Sequence, residues 1–298
     1  MHDGLFTQSN FGVVTKMGLW LMPKPPAYKP FMIRHPEMGD VGKIVETMRP
    51  LRVASLIPNV NLMMSAAYQL AMFNRRSDVW SGEGSISDEA VKKAAKANGL
   101  GMWNTYFALY GTEQSIAAIE PIVRGAIGAS GGEVLTEAEM SGNPWFHHHA
   151  TLMRGGLSLE EIGLVRWKGN GGGLAWFAPV AAAKGSETVG QTALAKEILG
   201  KYGFDYTAAY AIGWRELHHI IALLYDKSDP AEELKADQCY REMVVRFGEK
   251  GWASYRTGVP SMALVSQQYG QVNRDFNKTL KHAIDPNHII APGKSGIV

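Results

Sequence analysis

Twice along this chain of 298 residues, a strand-like run is followed by a helix with one apolar face and then by further strand. That repeated order constrains the fold more than any other feature. In the first unit, Met102 to Tyr110 is aromatic-rich and strand-like. Thr112 then caps a helix whose apolar residues Ile116, Ile119, Val123 and Ile127 recur at helical spacing, ended by the Gly128 to Gly132 turn region. Glu133 to Leu135 follows as a short strand. In the second unit, Leu174 to Val180 is strand-like, and Ser186 opens a helix with Val189, Ala193, Ile198 and Tyr202 on one face. Tyr206 to Ile212 and His218 to Tyr225 read as adjacent antiparallel strands. Asp229-Pro230-x-Glu232 combines an N-cap, Pro at the first helical position and an acid in the first turn. The helix it starts presents Tyr240, Met243, Val244 and Phe247 to a core. One-sided helices and strands bury their apolar sides against each other, so we expect an α+β domain with helices packed on an antiparallel sheet.

Upstream, Val13 to Met22 is apolar and β-branched and reads as a strand, which PKPPAYKP breaks with a Pro-rich connector ending near Pro30. Phe31 to Arg34 starts a second strand. Asp40 to Arg49 has helical spacing and stops at Pro50, Val53 to Ile57 is a short strand, and Asn61 to Phe73 an apolar helix. Arg75 to Ala97 is polar and reads as surface.

Composition removes several classes of function. With 30 Lys+Arg against 28 Asp+Glu and no basic stripe interleaved with aromatics, nothing points to a nucleic-acid partner. The single cysteine, Cys239, excludes an internal disulfide framework, and a haem attachment or Cys-based zinc site carried by this chain alone. Gly171 to Ala183, the longest weakly polar stretch, is too short to span a bilayer, so no membrane partner is expected. MHDGLFTQSN lacks the basic head and apolar core of a signal peptide, and strand-like residues begin almost at once, as if the chain started inside a larger fold.

Few segments could carry chemistry. The glycine-rich Gly169 to Gly173 is followed by strand and by no Lys-Ser/Thr pair, which argues against a phosphate loop. His147-His148-His149 cannot all point one way, and no HExxH accompanies it, so we read a polar segment near a surface or interface rather than a metal site. Glu160-Glu161 reads as a solvated helix start. His218 and His219 take opposite faces of a strand, so one imidazole at most meets a given cavity, as a substrate contact, a proton shuttle or a satisfied structural residue. Tyr255-Arg256 is either a surface strand or an anion receptor, because phenol and guanidinium together can share the charge of a bound oxyanion. Lys294, between the glycines of APGKSGIV, is either a surface lysine or a cation facing developing negative charge.

Taken together, DGLFTQSNFGVVTKMGLWLMP (Asp3 to Pro23), FAPV (Phe177 to Val180), WRELHH (Trp214 to His219), SYR (Ser254 to Arg256) and DPNHIIAPGKSGI (Asp285 to Ile297) resemble, in order and spacing, segments of the vanillyl-alcohol oxidase/4-cresol dehydrogenase family of FAD-dependent para-alkylphenol oxidoreductases. The resemblance covers essentially the whole chain and implies the C-terminal half of such a protein. Residues 1–24 would be a remnant of the FAD-binding domain. Residues 30–290 would form the C-terminal cap, or substrate, domain, an antiparallel sheet flanked by helices in ferredoxin-like units, and residues 291–298 a tail returning to the flavin.

The same resemblance implies a phenol bound as phenolate, hydride transfer from its benzylic carbon to FAD, and a quinone methide. Tyr255 and Arg256 match the phenolate-binding pair, His218 an active-site histidine, and Lys294 a basic residue near the flavin N1/O2 edge. Asn10, Gly12 and Val14 match the stretch running along the cofactor. A linking His or Tyr is absent near Leu174 and near Arg166, so FAD would be held non-covalently. Acids of the dehydrogenase branch appear as Ala209 and Ala222, which leaves the substrate open. A c-type cytochrome subunit and a homodimer of the full-length protein are the partners implied beside a small para-substituted phenol. The competing expectation is a non-catalytic cap module that binds no flavin on its own.

Overall fold

The computed structural model of the protein describes residues 6, 10–169 and 171–297. In chain order it forms β1 (Ala27–His35), α1 (Val41–Val53), β2 (Asn61–Ser65), α2 (Ala66–Phe73), α3 (Arg76–Val79), α4 (Asp88–Ala97), β3 (Trp103–Gly111), α5 (Glu113–Ala129), β4 (Glu133–Thr136) and α6 (Pro144–Met153). After a 3-10 turn at Glu160–Arg166 come β5 (Gly172–Phe177), β6 (Val180–Ala182), α7 (Gly185–Tyr202), β7 (Ala208–Ile212), β8 (Glu216–Asp226), α8 (Pro230–Gly248), α9 (Met262–Ser266) and α10 (Gln271–Ile284).

All strand pairings are antiparallel, in the order β4-β1-β3-β2-β7-β8-β5, with β6 also paired to β8. The expected α+β architecture is therefore what folds. The order β4-β1-β3-β2, threaded with α1 and α5, is a ferredoxin-like unit. Strands β7-β8-β5 with α7 and α8 make a second unit, joined to the first through β2 and β7. One sheet face is covered by α1, α5, α7 and α8, whose Ile44, Ile127, Ile198 and Phe247 pack on Trp103, Phe107, Tyr210 and Ile221. On the other, Leu70, Val91, Phe146 and Trp167 cover Met32, Tyr106, Ala209 and Ala222. Because both faces are covered, Trp103 to Leu109 is buried without alternation.

The caps form as the side chains dictate. Thr112 accepts the N–H of Ser115 at 3.1 Å, and Asp229 that of Ala231 at 2.9 Å, each satisfying an N-terminal donor with no partner inside the helix.

Four local expectations are corrected. Val13 to Met22 is extended but not a strand, and its side chains lie open to solvent (Trp20 84% exposed). A strand needs a neighbour to take its N–H and C=O groups, and none lies beside this run among the described residues. α1 runs through Pro50 to Val53, because in a last turn the missing N–H forfeits only one bond, so no strand forms from Val53. Asn61 to Phe73 divides at Ser65, whose hydroxyl caps α2, into strand and helix. The His147 to His149 run sits on α6 with His148 and His149 buried, not at a surface. Among the described residues no three His, Cys, Asp or Glu side chains gather to hold a metal. No helix among them is long and apolar enough to cross a membrane.

Candidate functional site

The site grows from a break in the sheet edge. Strands β5 and β6 are successive stretches paired to β8, interrupted at Ala178-Pro179. A proline lacks the N–H that a continuous ladder needs, so the edge opens there. The segment after α8 fills the gap: Val180 N–H donates to Ala253 O at 3.0 Å, Tyr255 N–H to Ala178 O at 3.3 Å, and Pro179 bridges Ser254. This short segment lies where a ferredoxin-like unit carries its fourth strand. Ser254 is buried, its hydroxyl donating to Arg256 O at 2.6 Å, while its own carbonyl accepts from Tyr269 Oη at 2.7 Å. With Ser254 pinned, Tyr255 and Arg256 project outward.

They project into two cavities. One, of about 830 Å³, is lined by Tyr68, Glu161, Trp176, Tyr240, Tyr255 and Arg256 among others. The other, of about 210 Å³, lies between Tyr255-Arg256 and Met262, Ser266 and Ser295. Neither the Tyr255 hydroxyl nor the Arg256 guanidinium makes a hydrogen bond or ion pair among the described residues. The guanidinium lies 5.4 Å from the Tyr255 ring centroid, a cation–π contact. A phenol and a guanidinium without a partner at a cavity wall have the chemistry to share the charge of an anionic oxygen.

His218, on β8, lies with its ring centroid 4.5 Å from that of Tyr255. His219 takes the opposite face, as the strand period requires: it is buried, stacked at 4.1 Å on Tyr210, and its Nε2 meets Tyr206 Oη at 3.0 Å. Burial holds the His219 imidazole neutral by lowering its pKa well below the usual range.

Sequence reasoning passed over two residues of the larger cavity. Glu161, expected to be a solvated helix start, accepts a hydrogen bond from the hydroxyl of Tyr68, itself buried on α2. Burial, and then the carboxylate beside it, push the Tyr68 phenol well above its ordinary value, so it stays a neutral donor. Apolar spacing marks Tyr68 only as a core position. The Glu160-Glu161 pair was the available signal, and it does not tell which acid turns inward.

At the edge of the smaller cavity lies the C-terminal tail. Lys281 on α10 is wholly buried, and its ammonium donates to Asn10 O at 2.7 Å, Asp285 Oδ2 at 2.7 Å and Ile290 O at 2.5 Å. Asn10 Nδ2 in turn donates to Lys294 O at 2.6 Å. Residues from opposite ends of the chain, Asn10 and Lys294, are thereby brought together. Gly296 lets the tail close, since its φ is +69° and a Cβ there would lie 2.2 Å from Ser266. Gly12 and Val14 follow on the extended segment, Val14 about half exposed, and do not join the Tyr255 cluster.

The polar edge of a flavin ring presents acceptors and a donor, and two groups here have the matching chemistry. The Lys294 ammonium is unpaired among the described residues, and the buried Asn10 Oδ1 has no partner among them, so a donor and an acceptor are free there. Among its described residues the glycine-rich segment opens β5 at Gly172, and no helix N-terminus follows there to cradle a phosphate.

Comparison with known proteins gives consistent results. Residues 110–295 match the family model of FAD linked oxidases, C-terminal domain. The chain is 41% identical over 297 residues to the 4-cresol dehydrogenase [hydroxylating] flavoprotein subunit of Pseudomonas putida, covering 99% of this chain and 57% of that protein. Among solved structures it is similar to p-cresol methylhydroxylase with substrate bound (TM-score 0.95, 41% identity, 99% of this chain and 57% of that one). It is also similar to 4-ethylphenol oxidase from Gulosibacter chungangensis in complex with isoeugenol (TM-score 0.94, 30% identity, 99% and 58%). The chain thus spans a little under three fifths of these relatives' length.

Proposed function

The chain belongs to the family of FAD linked oxidases, C-terminal domain, and from that membership we propose that it supplies the substrate-binding half of a flavin-dependent 4-alkylphenol oxidoreductase. The observation that carries the reading is the unpaired Tyr255-Arg256 couple at the wall of the 830 Å³ cavity, with His218 against it. Tyr255 would donate its hydroxyl hydrogen to the substrate's phenolic oxygen, and Arg256 would hold that oxygen as phenolate. Donors already aimed at the charge need no reorganisation during reaction. A phenolate pushes electron density through the ring to the para substituent, which makes the benzylic carbon a hydride donor and leaves a quinone methide. FAD, when bound, supplies the hydride acceptor.

The remaining residues orient and move protons. His218 supports the Tyr255 ring and can carry a proton to or from its hydroxyl. Glu161, held by Tyr68, stands in the same cavity as a base for water that adds to the quinone methide. Asn10 and Lys294 would hold the polar edge of the flavin ring. Its attachment is non-covalent on this reading, because Leu174 and Arg166 stand where a linking His or Tyr would be needed. The relative from Pseudomonas putida is a flavoprotein subunit, and a c-type cytochrome partner is the matching electron acceptor proposed for a dehydrogenase.

The test is to mix the purified chain with FAD, remove free flavin, and add 4-cresol without oxygen. Retained flavin absorbance that bleaches with 4-cresol, and flavin released into the supernatant by acid, is the expected result. A chain that takes up neither FAD nor 4-cresol would leave only a non-catalytic cap module.

A further inference from the structure

The end of α10 carries a pair of imidazoles that the proposed reaction does not use. His282 Nδ1 and His288 Nε2 stand 3.1 Å apart, with their ring planes at 65°. Two nitrogens each about 2.1 Å from one metal ion, at octahedral or tetrahedral angles, are separated by roughly 3.0–3.4 Å. The observed 3.1 Å gap, bridged here by a hydrogen bond between the rings, falls within the bite of such a chelate. His282 is exposed in the last turn of α10, where the negative end of the helix favours cations.

His288 is placed by its backbone. Its φ is +52°, in the left-handed region that a non-glycine residue adopts at a cost. Its N–H donates to Asp285 O at 3.0 Å, and the Asp285 carboxylate accepts the next two amides, Ile289 at 3.0 Å and Ile290 at 2.8 Å. The turn is over-determined, and it aims the ring back over the helix end.

We propose that His282 and His288 form a two-nitrogen site for a divalent transition metal that favours imidazole, of the Cu²⁺, Ni²⁺ or Zn²⁺ class. On binding, whichever ring donates the present hydrogen bond moves that proton to its other nitrogen, so both facing lone pairs reach the metal. Water completes the coordination, since no third His, Cys, Asp or Glu gathers there among the described residues.

The test titrates the tag-free chain with CuSO₄, read by calorimetry and by electron paramagnetic resonance. We expect one Cu²⁺ per chain with hyperfine structure from two nitrogens. His282→Ala and His288→Asn should each weaken binding at least about tenfold, while His147→Ala, at an exposed histidine elsewhere, should not. Asn suits the left-handed turn, and His282 is exposed, so both variants should fold. Equal affinity in all three variants, a loss shared by His147→Ala, or no binding below millimolar Cu²⁺ would overturn the proposal.

Discussion

The rings of His218 and Tyr255 lie with centroids 4.5 Å apart at an angle of 34°, although one sits on a strand and the other in a loop beyond the next helix. Pro179 brings them together. By interrupting the edge beside β8, it lets the Ser254 segment pair there, and the strand period then turns His218 toward Tyr255 and His219 away.

If Tyr255 and Arg256 hold a phenolate, Arg256→Gln should weaken binding of 4-nitrophenol by roughly 10–100-fold, the range for losing a hydrogen bond to a charged group. Tyr255→Phe should cost less, because the guanidinium stays. The phenolate absorbance band measures both, and an unchanged affinity in Arg256→Gln would remove the receptor reading.

Lys281→Met should lower the thermal midpoint by roughly 5–10 °C, because it strands the Asp285 carboxylate and frees the Asn10 and Ile290 carbonyls. Amide exchange should accelerate around Asn10 and Ile290 first. The Lys281 ammonium, with backbone amides of the turn, holds the Asp285 carboxyl down at about 2. A carboxyl depressed in the folded state stabilises above its unfolded pKa, near 4, so this contribution should fade as pH falls from about 4 to about 2. Asp285→Asn should flatten that limb of an acid titration.

Acid should act earlier through His149. Its ring lies against Tyr106, centroids 3.8 Å apart and planes tilted by 30°, and burial lowers its pKa well below the usual value. A base depressed in the folded state binds its proton in the unfolded chain first, so stability should begin to fall as pH drops through about 6.5. His149→Phe keeps a ring against Tyr106 and removes the titration. Its thermal midpoint should vary less than wild type between pH 6.5 and 5, as calorimetry would show.

The apolar run at Val13 to Met22 should make the isolated chain self-associate. Trp20→Lys, at a side chain 84% exposed, should shift light scattering toward monomer without moving the thermal midpoint. A lowered midpoint would mean that Trp20 packs within the fold.

Regular periodicity carried much of the fold. The apolar spacing of α5 and α8, their Thr112 and Asp229 caps, and the β7–β8 pair are all where the residues imply. Local signals failed where a neighbour decides the outcome. Val13 to Met22 has strand composition but no strand to pair with, and Asn61 to Phe73 changes from strand to helix at a single serine. His148 and His149 looked polar, yet a helix with a covered face buries them.

The candidate site divides in the same way. From the chain alone came its chemistry: a Tyr-Arg couple, one inward imidazole of two, and a lysine among glycines, with a resemblance that gave each a role. Side-chain type and strand period are local properties, so sequence holds them. Only the tertiary structure decided that Tyr255 meets His218, that Glu161 turns inward to Tyr68, and that Lys281 ties Asn10 to the tail carrying Lys294. Those pairings join residues far apart in the chain, and they follow from how the sheet edge opens and the tail closes, which no local pattern encodes.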